Sequence, residues 1–306
     1  MRAFIFPGQG SQSVGMGKAL AEASHVAREL FQEVDEALGQ NLARLMAEGP
    51  QDELTLTENA QPAIMANALA TLRVSGITVD KADFVAGHSL GEYTALAAAD
   101  AFDVATTARL LKLRGRAMQA AVPVGQGAMA ALLGLGLEGA REVAEEAAQG
   151  EVCSVANDND PGQVVVSGHK GAVERALEIA KAKGAKRALL LPVSAPFHSP
   201  LMEPAARAME EALTAADLRP PLVPVYANVT AAPADDPAEI RRLLVEQVTG
   251  MVRWRESVAA MTEAGVTHFV EFGGKVLSPM VKRIAPDART TSVVSMADIE
   301  ALVKEI

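Results

Sequence analysis

Ser89 stands in Gly87-His88-Ser89-Leu90-Gly91, directly after the apolar run Phe84-Val85-Ala86 and just before an Ala-rich helical pattern from Tyr93 to Ala101. Strand, sharp turn and helix in that order are the setting in which Gly-x-Ser-x-Gly acts as a nucleophile elbow. Both glycines are required because a neighbouring Cβ would collide with the strained serine backbone. The turn exposes the hydroxyl and aims the first amides of the helix at any oxyanion formed beside it. A serine hydroxyl also needs a base. Histidines occur at 25, 88, 169, 198 and 268. His88 adjoins Ser89, but consecutive residues of a tight elbow point apart. His25 falls on the wet face of the first helix, His169 in a turn as a capping or surface residue, and His268 in the apolar strand Thr267-His268-Phe269-Val270-Glu271 as a core histidine. His198 lies in Ser194-Ala195-Pro196-Phe197-His198-Ser199, just past the strand Leu189–Val193. Loops at the carboxyl ends of strands collect active residues in α/β folds, so His198 is the candidate base, with helix capping as its alternative.

Arg114 is the second informative residue. The stripe Val104, Ala108, Leu111, Arg114, Met118, Ala121 is apolar except for this one guanidinium. Arginine does not give up its charge, so a buried one needs an anion. That anion is either a carboxylate of the fold, Glu92 for instance, or a substrate carboxylate held by two parallel hydrogen bonds. Arg109 and Arg116 fall off the stripe and are solvated.

The elements that must position these groups alternate strand and helix. A strand at 2–6 runs into the Gly-rich turn Pro7-Gly8-Gln9-Gly10-Ser11-Gln12, then a helix spans about 17–38. Ser13 stands where a dinucleotide fingerprint wants Gly, and Gly17-Lys18 lacks the flanking residues of a phosphate loop. The turn therefore offers free amides, not a nucleotide site. Helices are predicted at 62–75, 92–99 and 104–121. The segment 124–193 then reads as strand (128–135), helix (138–149), strand (152–156), turn (157–162), strand (163–167), helix (170–183) and strand (186–193). The order βαββαβ is that of a ferredoxin-like unit. It interrupts an α/β domain made of 1–123 and 194–306, whose second half shows helices at 200–216, 237–247 and 254–264 and strands at 223–228 and 268–272.

At 306 residues the chain can bury one large core and a smaller one. A net charge of -10 argues against nucleic acid as the partner. A single cysteine, Cys153, excludes an intrachain disulfide and suggests a reducing compartment, with the thiol buried and inert. No signal-peptide pattern opens the chain. The uncharged stretch 117–137 is broken by Pro123, Gly125 and Gly127, which reads as helix end, loop and strand rather than a membrane span.

Taken together, Gly8-Gln9-Gly10-Ser11-Gln12, Gly87-His88-Ser89-Leu90-Gly91-Glu92, Arg114 and Pro196-Phe197-His198-Ser199 resemble the malonyl-CoA:acyl carrier protein transacylases. Asn157-x-Asn159-x-Pro161-Gly162-Gln163 and Gln247 with Val252-Arg253-Trp254 fit the same family, so the resemblance spans essentially the whole chain. It implies an α/β-hydrolase-like core with an inserted ferredoxin-like subdomain. It further implies Ser89 as acyl acceptor, His198 as its base, and the amides of Gln9 and Leu90 as oxyanion hole. Arg114 would hold the malonyl carboxylate, and Gln247 would support the histidine in place of an acidic third member. Phe197 would crowd an α-methyl group and so favour malonyl over methylmalonyl.

The expected partners are malonyl-CoA, a substrate rather than a cofactor, and acyl carrier protein. No metal, bound cofactor, nucleic acid or membrane is implied, and the expectation is a monomeric cytoplasmic enzyme, free-standing because the motifs begin almost at Met1. Lys181, Lys183, Lys186 and Arg187, and Lys275, Lys282 and Arg283, are the basic clusters available to an acidic carrier. Three other readings compete. A serine hydrolase would place an acid between Ser89 and His198, where Asp158 and Asp160 fall. A methylmalonyl transferase of polyketide assembly shares the motifs. A non-catalytic scaffold would tolerate loss of Ser89 or His198, yet both are present.

Overall fold

The computed structural model describes residues 1–306. Strand β1 (Arg2–Phe6) is apolar beyond its first residue because it lies buried between β2 (Phe84–Gly87) and β9 (His268–Phe272), parallel to both. Its alternate side chains serve opposite faces of the sheet. Phe4 and Phe6 pack with Phe272 in the larger core, with ring centroids 5.0 and 6.1 Å away. Ala3 and Ile5 face the other way, into a smaller core with Trp254, Val258 and Phe269. Burial on both faces by helices is the setting in which parallel strands are stable.

With β7 (Val225–Ala227), β8 (Ala232–Ala234) and β10 (Arg289–Val293), the sheet has the order β10-β9-β1-β2-β7-β8, and only the edge strand β8 runs antiparallel. Phe6 stands opposite Gly87. The Gly-rich loop after β1 and the elbow after β2 therefore start side by side at the same end of the sheet. Open α/β sheets bind ligands at that end.

The second sheet contains β3 (Gly127–Leu133), β4 (Cys153–Asp160), β5 (Gln163–His169) and β6 (Arg187–Leu190) in the antiparallel order β4-β5-β3-β6. Helices Gly136–Ala148 and Lys170–Ala182 cover one face, giving a core of Val143, Val166, Val173 and their neighbours. From the other face Met129, Ala131 and Val165 join the larger core. The chain thus has an α/β core and a small α/β unit packed onto it. No helix is long and apolar enough to cross a membrane.

Several local expectations are corrected. Residues 157–160 belong to β4 rather than to a turn, and only Pro161-Gly162 make the reversal. Their polar side chains suggest a loop, but Asp158, Asn159 and Asp160 each bond a residue of the core. Arg255 grips both oxygens of Asp158 at 3.1 and 2.9 Å, Arg283 binds Asp160 at 2.8 Å, and the main chain at Asn157 forms a parallel β-bridge with Val252. The helix at 17–38 is two helices, Lys18–Ala23 and His25–Leu38, parted by an extended Ser24. The helix placed at 62–75 begins at Thr57, and Pro62 lies inside it. The strand placed at 186–193 stops at Leu190, and Leu191, Pro192 and Val193 leave the sheet to line a cleft. The elements Leu42–Glu48, Leu277–Ile284, β10 and Met296–Val303 have no counterpart in the sequence reading.

Asp158 is fully buried, and burial raises its carboxyl pKa against the Arg255 hydrogen bonds that lower it. Arg255→Ala should therefore strand a buried carboxylate and cost about 3 kcal/mol of stability. Denaturant unfolding at neutral pH measures this, and Arg44→Ala, which removes an exposed pair, should cost well under about 1 kcal/mol.

Candidate active site

Ser89 adopts a left-handed backbone, with φ of 56°. Such a conformer in a non-glycine residue costs on the order of 1–3 kcal/mol and needs support from its surroundings. The glycines leave no alternative here: a Cβ on Gly87 would lie 1.8 Å from the Gly91 carbonyl oxygen, and one on Gly91 would lie 2.3 Å from that of Phe6. Two side chains hold the Ser89 peptide groups. Asn228 Oδ1 accepts from Ser89 N at 2.8 Å, and Gln247 Nε2 donates to Ser89 O at 2.9 Å. Asn228 Nδ2 also donates to Gly87 O at 2.7 Å.

Ser89 Oγ lies 2.7 Å from Nε2 of His198, across 109 positions of sequence. His198 is itself left-handed, with φ of 53°. Its Nδ1 faces two carbonyl oxygens, Gln247 at 2.8 Å and Gly250 at 3.1 Å. Carbonyls only accept, so Nδ1 carries the hydrogen and Nε2 presents its lone pair to the serine. The bond implied between Gln247 and the histidine thus comes from the main chain. It uses a carbonyl left unpaired where the Pro237–Thr249 helix ends, at the negative end of the helix dipole. Burial, and secondly the Arg114 charge, push the imidazole pKa down to about 3.

Arg114 is almost fully buried on the Val104–Ala120 helix, and no carboxylate pairs with it. Nη1 donates to Gln61 Oε1 at 2.8 Å, and Nη2 donates to Gln247 Oε1 at 2.8 Å and to Ser89 Oγ at 3.2 Å. Nε has no partner, and the guanidinium sits 5.7 Å from the centre of the Tyr93 ring. Glu92, the carboxylate expected as an internal partner, is committed elsewhere. Its Oε2 accepts from Asn228 N at 3.1 Å and from Gln247 Nε2 at 2.9 Å. A guanidinium with five donors and three neutral acceptors keeps two N–H groups for an anion.

The amides of Gln9 and Leu90 donate to no protein acceptor, while their neighbours Gly10 and Gly91 are bonded to Gln12 Oε1 and His88 O. Leu90 is the N-cap of the Gly91–Ala98 helix, so its amide lies at the positive end of that dipole. Both residues line a cleft of about 270 Å³ together with Ser89, Arg114, His198, Gln61, Met129 and Phe197. The structure therefore gathers Ser89, His198, Arg114, Gln9, Leu90 and Phe197 at one cleft, with Gln247 directly beneath them. Asn228 and Gln61 were not singled out in the sequence. Asn228 carried a usable signal as a polar residue at the end of a strand, whereas Gln61 is one amide within a helix.

The other candidates are accounted for. His88 Nε2 meets Asn159 Oδ1 at 2.7 Å, His268 Nε2 meets Thr291 Oγ1 at 2.8 Å, and His25 is exposed. His169 caps no helix with its side chain; its Nδ1 accepts from Val152 N. Asp158 and Asp160 pair with Arg255 and Arg283, so neither orients His198. No cluster of three or more His, Cys, Asp or Glu side chains is arranged to hold a metal ion.

Residues 3–280 match the acyl transferase domain family. The malonyl CoA-acyl carrier protein transacylase of Bacillus subtilis (strain 168) is 46% identical, over 99% of this chain and 96% of its own length. That of Escherichia coli (strain K12) is 45% identical, over 99% of both chains. The chain belongs to the malonyl-CoA:acyl carrier protein transacylases. It is an acyltransferase. Among solved transacylase structures, the acyl-carrier-protein S-malonyltransferase from Bartonella henselae superposes with a TM-score of 0.97 at 52% identity, covering 99% of this chain and 98% of the other. A malonyl-transacylase solved in complex with a type II PKS acyl-carrier protein gives 0.96 at 41% identity, covering 100% and 99%.

Within this transacylase, burial raises the Glu92 pKa to about 7, opposed by hydrogen bonds from Gln247 and Asn228 and by the Arg114 charge. A carboxyl whose folded pKa exceeds its unfolded value near 4.5 favours folding at low pH, and that contribution is lost as pH rises from about 4.5 through 7. Glu92→Gln should remove this dependence. Its stability relative to wild type should rise by roughly 2–4 kcal/mol between about pH 5 and pH 8, measured by denaturant unfolding at both.

Proposed function

We propose that this chain transfers malonyl from malonyl-CoA to the phosphopantetheine thiol of an acyl carrier protein through a malonyl-serine ester on Ser89, supplying fatty acid synthesis. The observation that carries the reading is a buried guanidinium, unpaired with any carboxylate, 3.2 Å from a serine that is itself 2.7 Å from a neutral histidine. His198 takes the Ser89 proton as Oγ attacks the thioester carbonyl. The tetrahedral oxyanion lies against the Gln9 and Leu90 amides, and losing one such donor typically costs about 10²–10³ in rate. The C–S bond then breaks, and CoA leaves with the proton from His198. In the second half-reaction His198 takes the proton of the carrier thiol, whose sulfur attacks the ester, and Ser89 regains its hydrogen.

Arg114 supplies the selectivity, and a carboxylate bound to it relieves a penalty on the base. The Arg114 charge disfavours the imidazolium, so a malonate carboxylate that neutralises it makes proton transfer to His198 easier. Acetyl-CoA provides no such carboxylate. Phe197 lines the cleft, which supports the reading that its bulk crowds an α-methyl group. Among the basic clusters, Lys183 pairs with Glu142 and Glu146, and Arg283 pairs with Asp160. Lys186 and Arg187 are exposed without a carboxylate partner and are the better docking candidates for an acidic carrier.

Mixing the protein with malonyl-CoA in the absence of carrier should add one malonyl group to the intact mass and then stall, and Ser89→Ala should abolish the addition. Rapid turnover to free malonate without a stable adduct would instead identify a hydrolase. Arg114→Ala should lower malonyl loading by at least about 100-fold, the cost of breaking a buried ion pair. It should affect acetyl loading far less, as the kcat/KM for each donor would read.

A further inference from the structure

A malonyl thioester has its carboxylate and its reacting carbonyl separated by one methylene group. An enzyme that binds both ends must keep the carboxylate clamp and the oxyanion hole at one fixed separation. Ser89 and the Leu90 amide are held by the elbow itself. The Gln9 amide comes from a different loop and needs its own support.

That support is visible as a continuous run of side-chain hydrogen bonds. Arg114 Nη1 donates to Gln61 Oε1 at 2.8 Å. Gln61 Nε2 donates to Thr57 Oγ1 at 2.9 Å, and Thr57 Oγ1 donates to Gln9 Oε1 at 2.8 Å. Gln61 and Thr57 are buried one turn apart on the Thr57–Ser75 helix, so their spacing is that of the helix. The helix that carries Arg114 is locked against them, because a Cβ on Gly115 would lie 2.7 Å from Thr57 O and 2.5 Å from Glu58 Cα. Each amide and hydroxyl is also used in one direction only: Arg114 can only donate, which forces Gln61 to accept with oxygen and donate with nitrogen, and Thr57 to pass its own hydrogen to Gln9.

We propose that Gln61 and Thr57 are positioning residues that set the separation between the Arg114 guanidinium and the Gln9 amide, and so select thioesters of a three-carbon diacid over simple acyl thioesters. The inference rests on the malonyl-serine reading above. It goes beyond that reading in assigning selectivity to two residues that bond neither Ser89 nor His198. A donor anchored at both ends is sensitive to this separation. A donor without a carboxylate is held at the reacting end alone and tolerates a small shift of the Gln9 amide better than one held at both ends.

Loading of Ser89 from malonyl-CoA and from acetyl-CoA, followed by rapid quench and intact mass, tests the proposal in Thr57→Val, Thr57→Ser and Gln9→Ala. The last variant keeps the Gln9 amide, removes only its side chain at a partly exposed position, and serves if the buried Thr57→Val fails to fold. Misplacing a catalytic group by about 1 Å can cost 10²-fold, so a smaller shift should lower malonyl loading by about tenfold. Acetyl loading should fall by a clearly smaller factor than malonyl loading, the loss should lie in kcat rather than KM, and Thr57→Ser should keep the wild-type ratio of the two donors. In an Arg114→Ala background, Thr57→Val or Gln9→Ala should leave that ratio unmoved. Equal proportional loss on both donors, a Thr57→Ser variant as impaired as Thr57→Val, or a ratio shift that persists without Arg114 would each overturn it. Wild-type protein that never forms malonyl-serine would sink the underlying reading instead, before any variant is compared.

Discussion

A full positive charge sealed inside the protein without a negative partner is the constraint around which the site is arranged. Removing a guanidinium from water is expensive, and the usual remedy is a carboxylate at contact distance. Arg114 has neutral amide oxygens on either side, a serine hydroxyl at its tip and an aromatic face nearby. Such groups soften the cost without cancelling the charge, so attraction for an incoming anion is preserved. The two glutamines that hold it are in turn held by donors and acceptors leading to the Gln9 loop and to the elbow. The guanidinium, Ser89 and the Gln9 loop are thereby coupled through one hydrogen-bonded assembly.

Glu92 shows the same logic from the acidic side. A carboxylate this close in sequence to Ser89 could have neutralised Arg114, which would have left the guanidinium with no charge to offer an incoming anion. Asn228 and Gln247 take its Oε2 instead, and the same two residues grip the Ser89 peptide on both sides. The strain of a left-handed serine is therefore borne by groups that also hold the acid away from the arginine. His198 is treated in a similar way, since main-chain carbonyls at a helix end, not an acid, accept from its Nδ1. That arrangement adds no negative charge beside the guanidinium.

The small unit is anchored to this assembly along β4. Asp158 and Asp160 bind arginines of the core, and Asn159 meets the histidine that precedes Ser89. This strand also shows why sequence patterning misleads at such a place. A run of Asn and Asp before Pro-Gly has turn chemistry, yet its side chains are satisfied by residues about 100 positions away. No local pattern carries that information.

The chain's own residues determined the elbow, because glycine on either side of a serine between strand and helix has a steric meaning that holds without neighbours. They also determined the alternation that makes an α/β core with an inserted βαββαβ unit, and the oddity of one arginine on an apolar stripe. Which histidine meets the serine, and whether that arginine finds an acid, were open in one dimension. Both depend on distances between loops and helices that only folding brings together. The parts played by Gln61 and the Gln247 side chain were hidden, and Asn228 offered only its place at a strand end, since an amide has no characteristic pattern or period in sequence. Its meaning comes from whichever donors and acceptors the tertiary structure sets against its two ends.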